Sequence, residues 1–226
     1  MSHHDDFQTE PVLGLPANLP EGEHIVWQGA PDRATTFRTV FKGNWLIAYF
    51  VGLAGWRLAT GIYDGRAMYD IAGSVFTAFV LGAVVLAILF GISTWIARST
   101  VYTITNKRVV MRIGMALPIT FNLPFSQISS ASVVSHGGKS GTVALTLAEN
   151  TKITWPVLWP HARPWKLANP QPAFRALGDV ETAKAHLVSG LREAHGIEGR
   201  PAMAAVAAKK AKPAKRTLRG LETKGA

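Results

Sequence analysis

Cysteine is absent from all 226 residues, which removes disulfide frameworks, thiolate-ligated zinc, iron–sulfur clusters and thiol catalysis together. Charge is scarce as well: 17% of residues are Asp, Glu, Lys or Arg, below the usual quarter or so. Acids are scarcest where a catalytic centre would need them. Glu149 is the only one between Asp70 and Asp179, so a general acid–base pair has little to be built from. The sequence has no G-x-S-x-G, no glycine-rich phosphate loop ending in GK[ST] and no H-E-x-x-H. Its seven histidines are scattered. His161 could ligate a metal or a tetrapyrrole magnesium, but a lone histidine more often hydrogen-bonds locally. The expectation is a protein that is not an enzyme and holds neither metal nor cofactor.

What is present is an uneven distribution of charge. Residues 1–43 hold six acids and three bases, while 199–226 hold eight bases and one acid. Between them, residues 71–97 run for 27 positions without a charge. A helix needs about 20 apolar residues to cross a hydrocarbon core of ~30 Å, so this stretch can span with tilt to spare. Residues 44–63 form a weaker span, broken only by Arg57. The seven residues 64–70 then make a short turn, and the pair reads as a transmembrane hairpin. Trp45 and Trp95 fall near one end, Tyr63 and Tyr69 near the other, as in interfacial aromatic belts.

Basic residues flank the hairpin at Arg33, Arg38, Lys42, Arg98, Lys107, Arg108 and Arg112, whereas the turn has only Arg66. Both termini are therefore expected in the cytoplasm and the turn outside. The first 40 residues lack the apolar stretch of a secretory signal peptide. Arg57 lies six residues from the outer end, about 9 Å at helical rise, so it can snorkel, with Asp64 or Asp70 as counter-charge. An intramembrane ion pair or a contact to a partner helix is the other reading. Small residues recur four apart at Ala48/Gly52, Gly55/Ala59 and Ala83/Ala87/Gly91. Such positions let helices approach closely, between the two spans or in a homodimer.

Outside the hairpin the pattern changes. Ile25 and Trp27 alternate with polar residues in residues 24–29, a short strand in need of a sheet. Asp32 can cap a turn carrying Phe37, Val40 and Phe41 into the first span. Strands are expected at 100–105, 109–113, 119–123, 128–135, 142–147 and 152–155, punctuated by glycine and asparagine. Val180, Ala183, Leu187, Leu191 and Ala194 mark one face of a helix over 179–194, capped by Asp179 and stopped at Gly196. Residues 98–198 thus read as a small antiparallel sheet or partly open barrel, closed by one C-terminal amphipathic helix. The Ala/Lys-rich segment 199–226 reads as a disordered tail attracted to anionic lipids, without a nucleic-acid fold to accompany it.

Between the last strand and that helix, three tryptophans alternate with prolines in residues 155–165. Proline stiffens such a loop, and Trp and Arg are the residue types that most often dominate binding hot spots. Trp159, His161, Arg163, Trp165 and Lys166 are therefore candidate partner-binding residues. In the competing reading the indoles cover one end of the core or rest in the headgroup layer.

Two stretches carry a family resemblance. Residues 23–31 (EHIVWQGAP), the hairpin and residues 102–129 (YTITNKRVVMRIGMALPITFNLPFSQIS) resemble membrane-anchored bacterial pleckstrin-homology-like (PH-like) proteins. The run LWPHARPW at 158–165, with PAFRAL at 172–177 and PVLGLPANLPEGE at 11–23, resembles the photosynthetic complex assembly protein PuhB family of purple phototrophic bacteria. The resemblance covers residues 10–195 or so and implies an α+β membrane protein, a PH-like barrel on a two-helix anchor. It further implies an assembly factor whose partners are photosynthetic reaction centre subunits and the light-harvesting 1 complex, with membrane lipids around it. The alternative is a general membrane-anchored PH-like protein that binds lipid or envelope partners.

Overall fold

Two aspartates begin helices as the sequence predicts. In the computed structural model, which describes residues 12–114, 117–148 and 153–196, the Asp32 carboxylate accepts the Thr35 amide proton at 2.7 Å and opens α1 (Arg33–Thr39). The Asp179 carboxylate accepts that of Thr182 at 3.3 Å and opens the last helix, α5 (Val180–Ala194). Each satisfies an amide that the first turn would otherwise leave without an acceptor.

Between α1 and the strands stand α2 (Gly43–Tyr63) and α3 (Met68–Ser99), both long and apolar enough to cross a membrane. They pack antiparallel through two close approaches. A Cβ on Gly61 would lie 2.8 Å from the Ile71 side chain, and one on Gly82 would lie 2.8 Å from Phe50. Ile71, Ala78, Gly82, Ser93 and Ile96 are the buried residues of α3, while most of both helices is exposed. At 1.5 Å per residue the 32 residues of α3 reach about 48 Å, beyond the ~30 Å of a hydrocarbon core. Its last turns run alongside α1, where Phe37 and Phe90 meet edge to face at 5.9 Å.

Seven strands form two antiparallel sheets. The first has the order β1 (Ile25–Gly29), β2 (Val101–Thr105), β3 (Arg108–Ile113), β4 (Ile119–Pro124). The second has the order β5 (Ile128–Gly137), β6 (Ser140–Leu147), β7 (Ala173–Leu177). β1 joins as the sequence alternation requires, with Trp27 opposite Ile104 and Gly29 opposite Tyr102. No closed barrel forms among the described residues. A 3-10 turn at Phe125–Gln127 carries the chain from β4 to β5, and a single bridge, Pro31 with Leu177, links β1's exit to β7.

The strand expected at 152–155 is not one in its described part. Pro156 has no amide proton to give a ladder, and Trp155–Leu158 forms a short helix, α4, with that proline in its first turn. The missing strand is β7, whose AFRAL sequence the Trp/Pro run obscured. Tyr102, Ile104, Met111, Phe125, Leu145, Leu158, Phe174 and Leu187 form the core between the sheets and α5. On α5, Val180, Ala183 and Leu187 are buried and Leu191 is half-buried, but Ala194 is exposed. The basic segment 199–226 lies outside the described residues.

Candidate functional site

The Trp/Pro loop is built around a histidine that faces inward. His161 is 2% exposed, its ring edge-on to Tyr102. The Arg175 amide donates to the Tyr102 hydroxyl oxygen at 3.2 Å, so the phenolic proton is free to go to His161 Nδ1 at 2.6 Å. Nδ1 is then the acceptor, and the Nε2 proton goes to Thr100 Oγ1 at 3.2 Å. Both ring nitrogens are satisfied by a neutral imidazole. Burial, with the Arg175 charge adding to it, pushes the His161 pKa down to about 3, and burial raises that of Tyr102 above the ordinary phenol value. Tyr102 in turn stacks on Phe174 at 4.6 Å, and Phe174 on Trp27 at 6.1 Å. His161 is therefore a staple: it ties the loop to Thr100, the residue that ends α3.

Arg163 is also turned inward, with Nη1 donating to Gln171 Oε1 at 2.9 Å and to Ser132 Oγ at 3.3 Å. The structure thus divides the five loop residues singled out by sequence. His161 and Arg163 hold the loop in place. Trp159 is 44% exposed, Trp165 is 95% exposed, and Lys166 is exposed beside it. Trp165 adopts φ +63°, a left-handed conformation that bulky residues rarely occupy and that costs about 1 kcal/mol or more. An indole left in solvent on a strained backbone gains nothing from its own fold. Leu167 extends the apolar surface at 62% exposure.

The membrane-length hairpin presents a second surface. Ala48, Gly52, Gly55 and Ala59 on α2, with Ala83, Ala87 and Gly91 on α3, are exposed, and a Cβ added at Gly52, Gly55 or Gly91 would touch nothing within 4 Å. The two helices therefore do not use these residues on each other; Gly61 and Gly82 make their seam. Spacing of four, seven and eleven puts Phe50, Ala54, Arg57 and Gly61 on one face of α2, so Arg57 lies on the seam side. Its side chain is exposed and has no ion pair among the described residues. The Asp64 carboxylate is bound by Arg66 at 3.1 Å instead of Arg57. No group of acids and histidines that could hold a metal occurs among the described residues.

Sequence reasoning missed Thr100, Tyr102 and Arg175. Tyr102 lies 59 positions from His161, and nothing in a β-branched strand announces that one hydroxyl will serve a distant loop.

A protein of Rhodobacter capsulatus, described as an uncharacterized 23.7 kDa protein in the puhA 5' region, is 41% identical over 182 residues, covering 80% of this chain and 85% of its own length. A crystal structure of a DUF1696-family protein with a pleckstrin-homology domain, from Shewanella loihica, aligns over 41% of this chain and 71% of its own. The TM-score is 0.27 at 13% identity. The bacterial PH domain family matches residues 48–189, reaching from the first membrane-length helix into α5. The chain belongs to the bacterial PH domain family.

Proposed function

We propose that this protein is a membrane-anchored, non-enzymatic assembly factor for the photosynthetic reaction centre and its light-harvesting 1 complex. The observation that carries the photosynthetic part is the relative at 41% identity, encoded in the puhA 5' region. The hairpin supplies the anchor, and the PH-like module supplies the binding surface. Pairing of β1 with β2 supports a two-span hairpin: residues 25–29 and 101–105 share one sheet, so any membrane between them is crossed an even number of times. Basic residues on the module side favour cytoplasmic termini in the inner membrane.

The proposed partner surface is Trp159, Trp165 and Lys166, with Arg163 and His161 as its internal supports. A loop already held by His161 and Arg163 orders little on docking, which keeps the entropic cost of binding low. The outward small-residue faces of α2 and α3 are a second contact for partner helices, or for a homodimer. The test is co-purification of reaction centre subunits with the tagged full chain from detergent-solubilised phototrophic membranes. The Trp159→Ala/Trp165→Ala double variant should accumulate in the membrane yet lose about thirtyfold in affinity, the effect of a hot-spot truncation of ~2 kcal/mol. A variant that accumulates and still captures reaction centre subunits normally would remove the loop from the client surface.

A further inference from the structure

Strand register fixes which end of the module faces the hairpin. Thr100, the residue after α3, leads directly into β2, and Val101 pairs with Arg112. One step further along the ladder, Ile113 at the end of β3 lies level with Thr100, and β3 is in contact with α3. β4 begins at the same end, with Ile119 opposite Ile113. The turn from β3 to β4 therefore projects beside the foot of α3. Lys107, in the turn at the other end of β3, is about 20 Å away at the usual rise of a strand.

This turn is tight and apolar. Gly114 takes φ +118°, and a Cβ there would run into the Leu117 carbonyl oxygen, so only glycine lets the chain fold back so closely. Residues 113–119, IGMALPI, contain no charged or polar side chain, and Pro118 brings no backbone donor. The other two hairpin turns use Asn106-Lys107 and Gly138-Lys139 instead. Leu117 is 77% exposed, and Ile119 is exposed beside it. Leu13, also exposed, lies at the same end of the sheet: a Cβ on the next residue, Gly14, would meet Val101 at 2.6 Å. Trp95 is exposed on α3 five residues before Thr100, about 7 Å back along the helix, where an interfacial tryptophan belongs. The chain has no acid from residue 71 to 148, so nothing in this part of it repels an anionic lipid surface.

We propose that the turn between β3 and β4 is a second membrane contact: Leu117 and Ile119 enter the boundary between headgroups and acyl chains in the leaflet that α3 leaves, with Leu13 at the same end of the sheet. The inference rests on the reading of the hairpin as membrane-spanning. It lays one end of the module against the bilayer, which gives aliphatic side chains left in water by the fold an apolar place to go.

Because the chain has no cysteine, single sites can carry a polarity-sensitive fluorophore in the full chain. Leu117→Cys, Ile119→Cys, Lys107→Cys and Val84→Cys, the last exposed midway along α3, are each labelled in nanodiscs of phosphatidylcholine and phosphatidylglycerol. Lipids brominated near the headgroup or near the chain end report contact and depth. The probe at 117 should be blue-shifted and lose about half its emission to lipid brominated near the headgroup, as for a residue about 5–10 Å inside the interface. The probe at 119 should follow it, the probe at 107 should be quenched by neither lipid, and the probe at 84 most by the deep bromines. Leu117 and Lys107 are exposed, so their replacement leaves the core intact. Probes at 117 and 119 that behave like the one at 107, while 84 is quenched, overturn the proposal and leave the hairpin standing. A blue shift at 117 without quenching by either lipid also overturns it, because protein and not lipid then covers the turn. An unquenched probe at 84 refutes the membrane reading itself, and the proposal with it.

Discussion

Acidification should unlock the Trp/Pro loop, and His161 sets both the window and the size of the effect. Its folded pKa is about 3, against roughly 6.5 in an unfolded chain. The fold binds the neutral ring, so this contribution is complete above pH 6.5 and is lost as pH falls towards 3. Between those limits the unfolded chain carries one more proton, and stability falls by about 1.4 kcal/mol per pH unit. From pH 7 to pH 4.5 the loss works out at about 2.5 kcal/mol. Glu23 is raised by burial but lowered more by its bonds to Arg108 and Thr105, and Asp32 is held low in the same way by the Thr35 cap, so both add a loss of the same sign once pH falls towards the ordinary carboxylate range, a loss that His161→Gln shares and the comparison therefore cancels. His136, also lowered, adds a smaller slope of the same sign. The assay is denaturant unfolding of the full chain in detergent, followed by tryptophan fluorescence at several pH values. His161→Gln keeps an amide that can bond Tyr102 and Thr100 but does not titrate. It should be less stable at pH 7, and its loss between pH 7 and pH 4.5 should be smaller than the wild type's by about 2.5 kcal/mol. An unchanged slope would show that a neutral His161 is not what the fold binds.

Five further outcomes follow from named positions. Gly61→Val and Gly82→Val should each loosen the hairpin by about 1–3 kcal/mol in detergent unfolding, because the added Cβ meets Ile71 or Phe50 at 2.8 Å. Gly52→Ala and Gly91→Ala should leave that unfolding unchanged, and any loss of reaction-centre yield from them would place a partner helix on the outer faces. Glu23→Gln should cost about 1–2 kcal/mol by weakening its 2.7 Å bond from Arg108 and detaching the segment before β1, read as faster proteolysis near residue 20. A cysteine at Gly65 should label from outside in intact spheroplasts while one at Ser140 should not; the reverse pattern would invert the topology. Trp165→Gly relieves φ +63°, so it should stabilise the protein by about 1 kcal/mol while weakening partner capture.

The elements that a short-range pattern specifies were legible in the sequence. Asp32 and Asp179 were readable as caps because capping needs only the next three residues, and β1 was readable because Ile25 and Trp27 alternate. The hairpin was legible from length and lack of charge, since the bilayer criterion is itself one-dimensional. What escaped depends on contacts between distant segments. β7 is five residues long and contains Arg175, a poor strand signal, yet it pairs because β6 offers it an edge. His161 read as a candidate partner-binding residue of a stiff loop, and its burial follows from Tyr102, 59 positions away. The small-residue positions read as close-packing types, but in the structure they face outward, because the seam between the two helices is made by Gly61 and Gly82 instead.

Both ends of the hairpin terminate on the same stretch of chain. On the outgoing side Thr100, directly after α3, binds His161. On the incoming side the Asp32 amide, at the start of α1, donates to Ala176 O at 2.7 Å. A module joined to its anchor at one point could still rotate about that point; a second attachment 15 residues further along the same segment removes the rotation. The loop carrying Trp159 and Trp165 leaves from the first attachment. Height and orientation of the exposed indoles relative to the hairpin are therefore set by the fold and not by a linker. A partner that engages both the loop and an outer helix face would then meet two surfaces at fixed separation, so docking on one raises the effective concentration of the other without a linker to order. Lengthening the connection between α3 and β2 by two glycines after Ser99 would put slack between α3 and Thr100, freeing the module from the end of the helix while leaving each surface intact. Reaction-centre capture should then fall more than the loss of either surface's contacts alone can account for, and capture at wild-type level would mean that the two surfaces act independently.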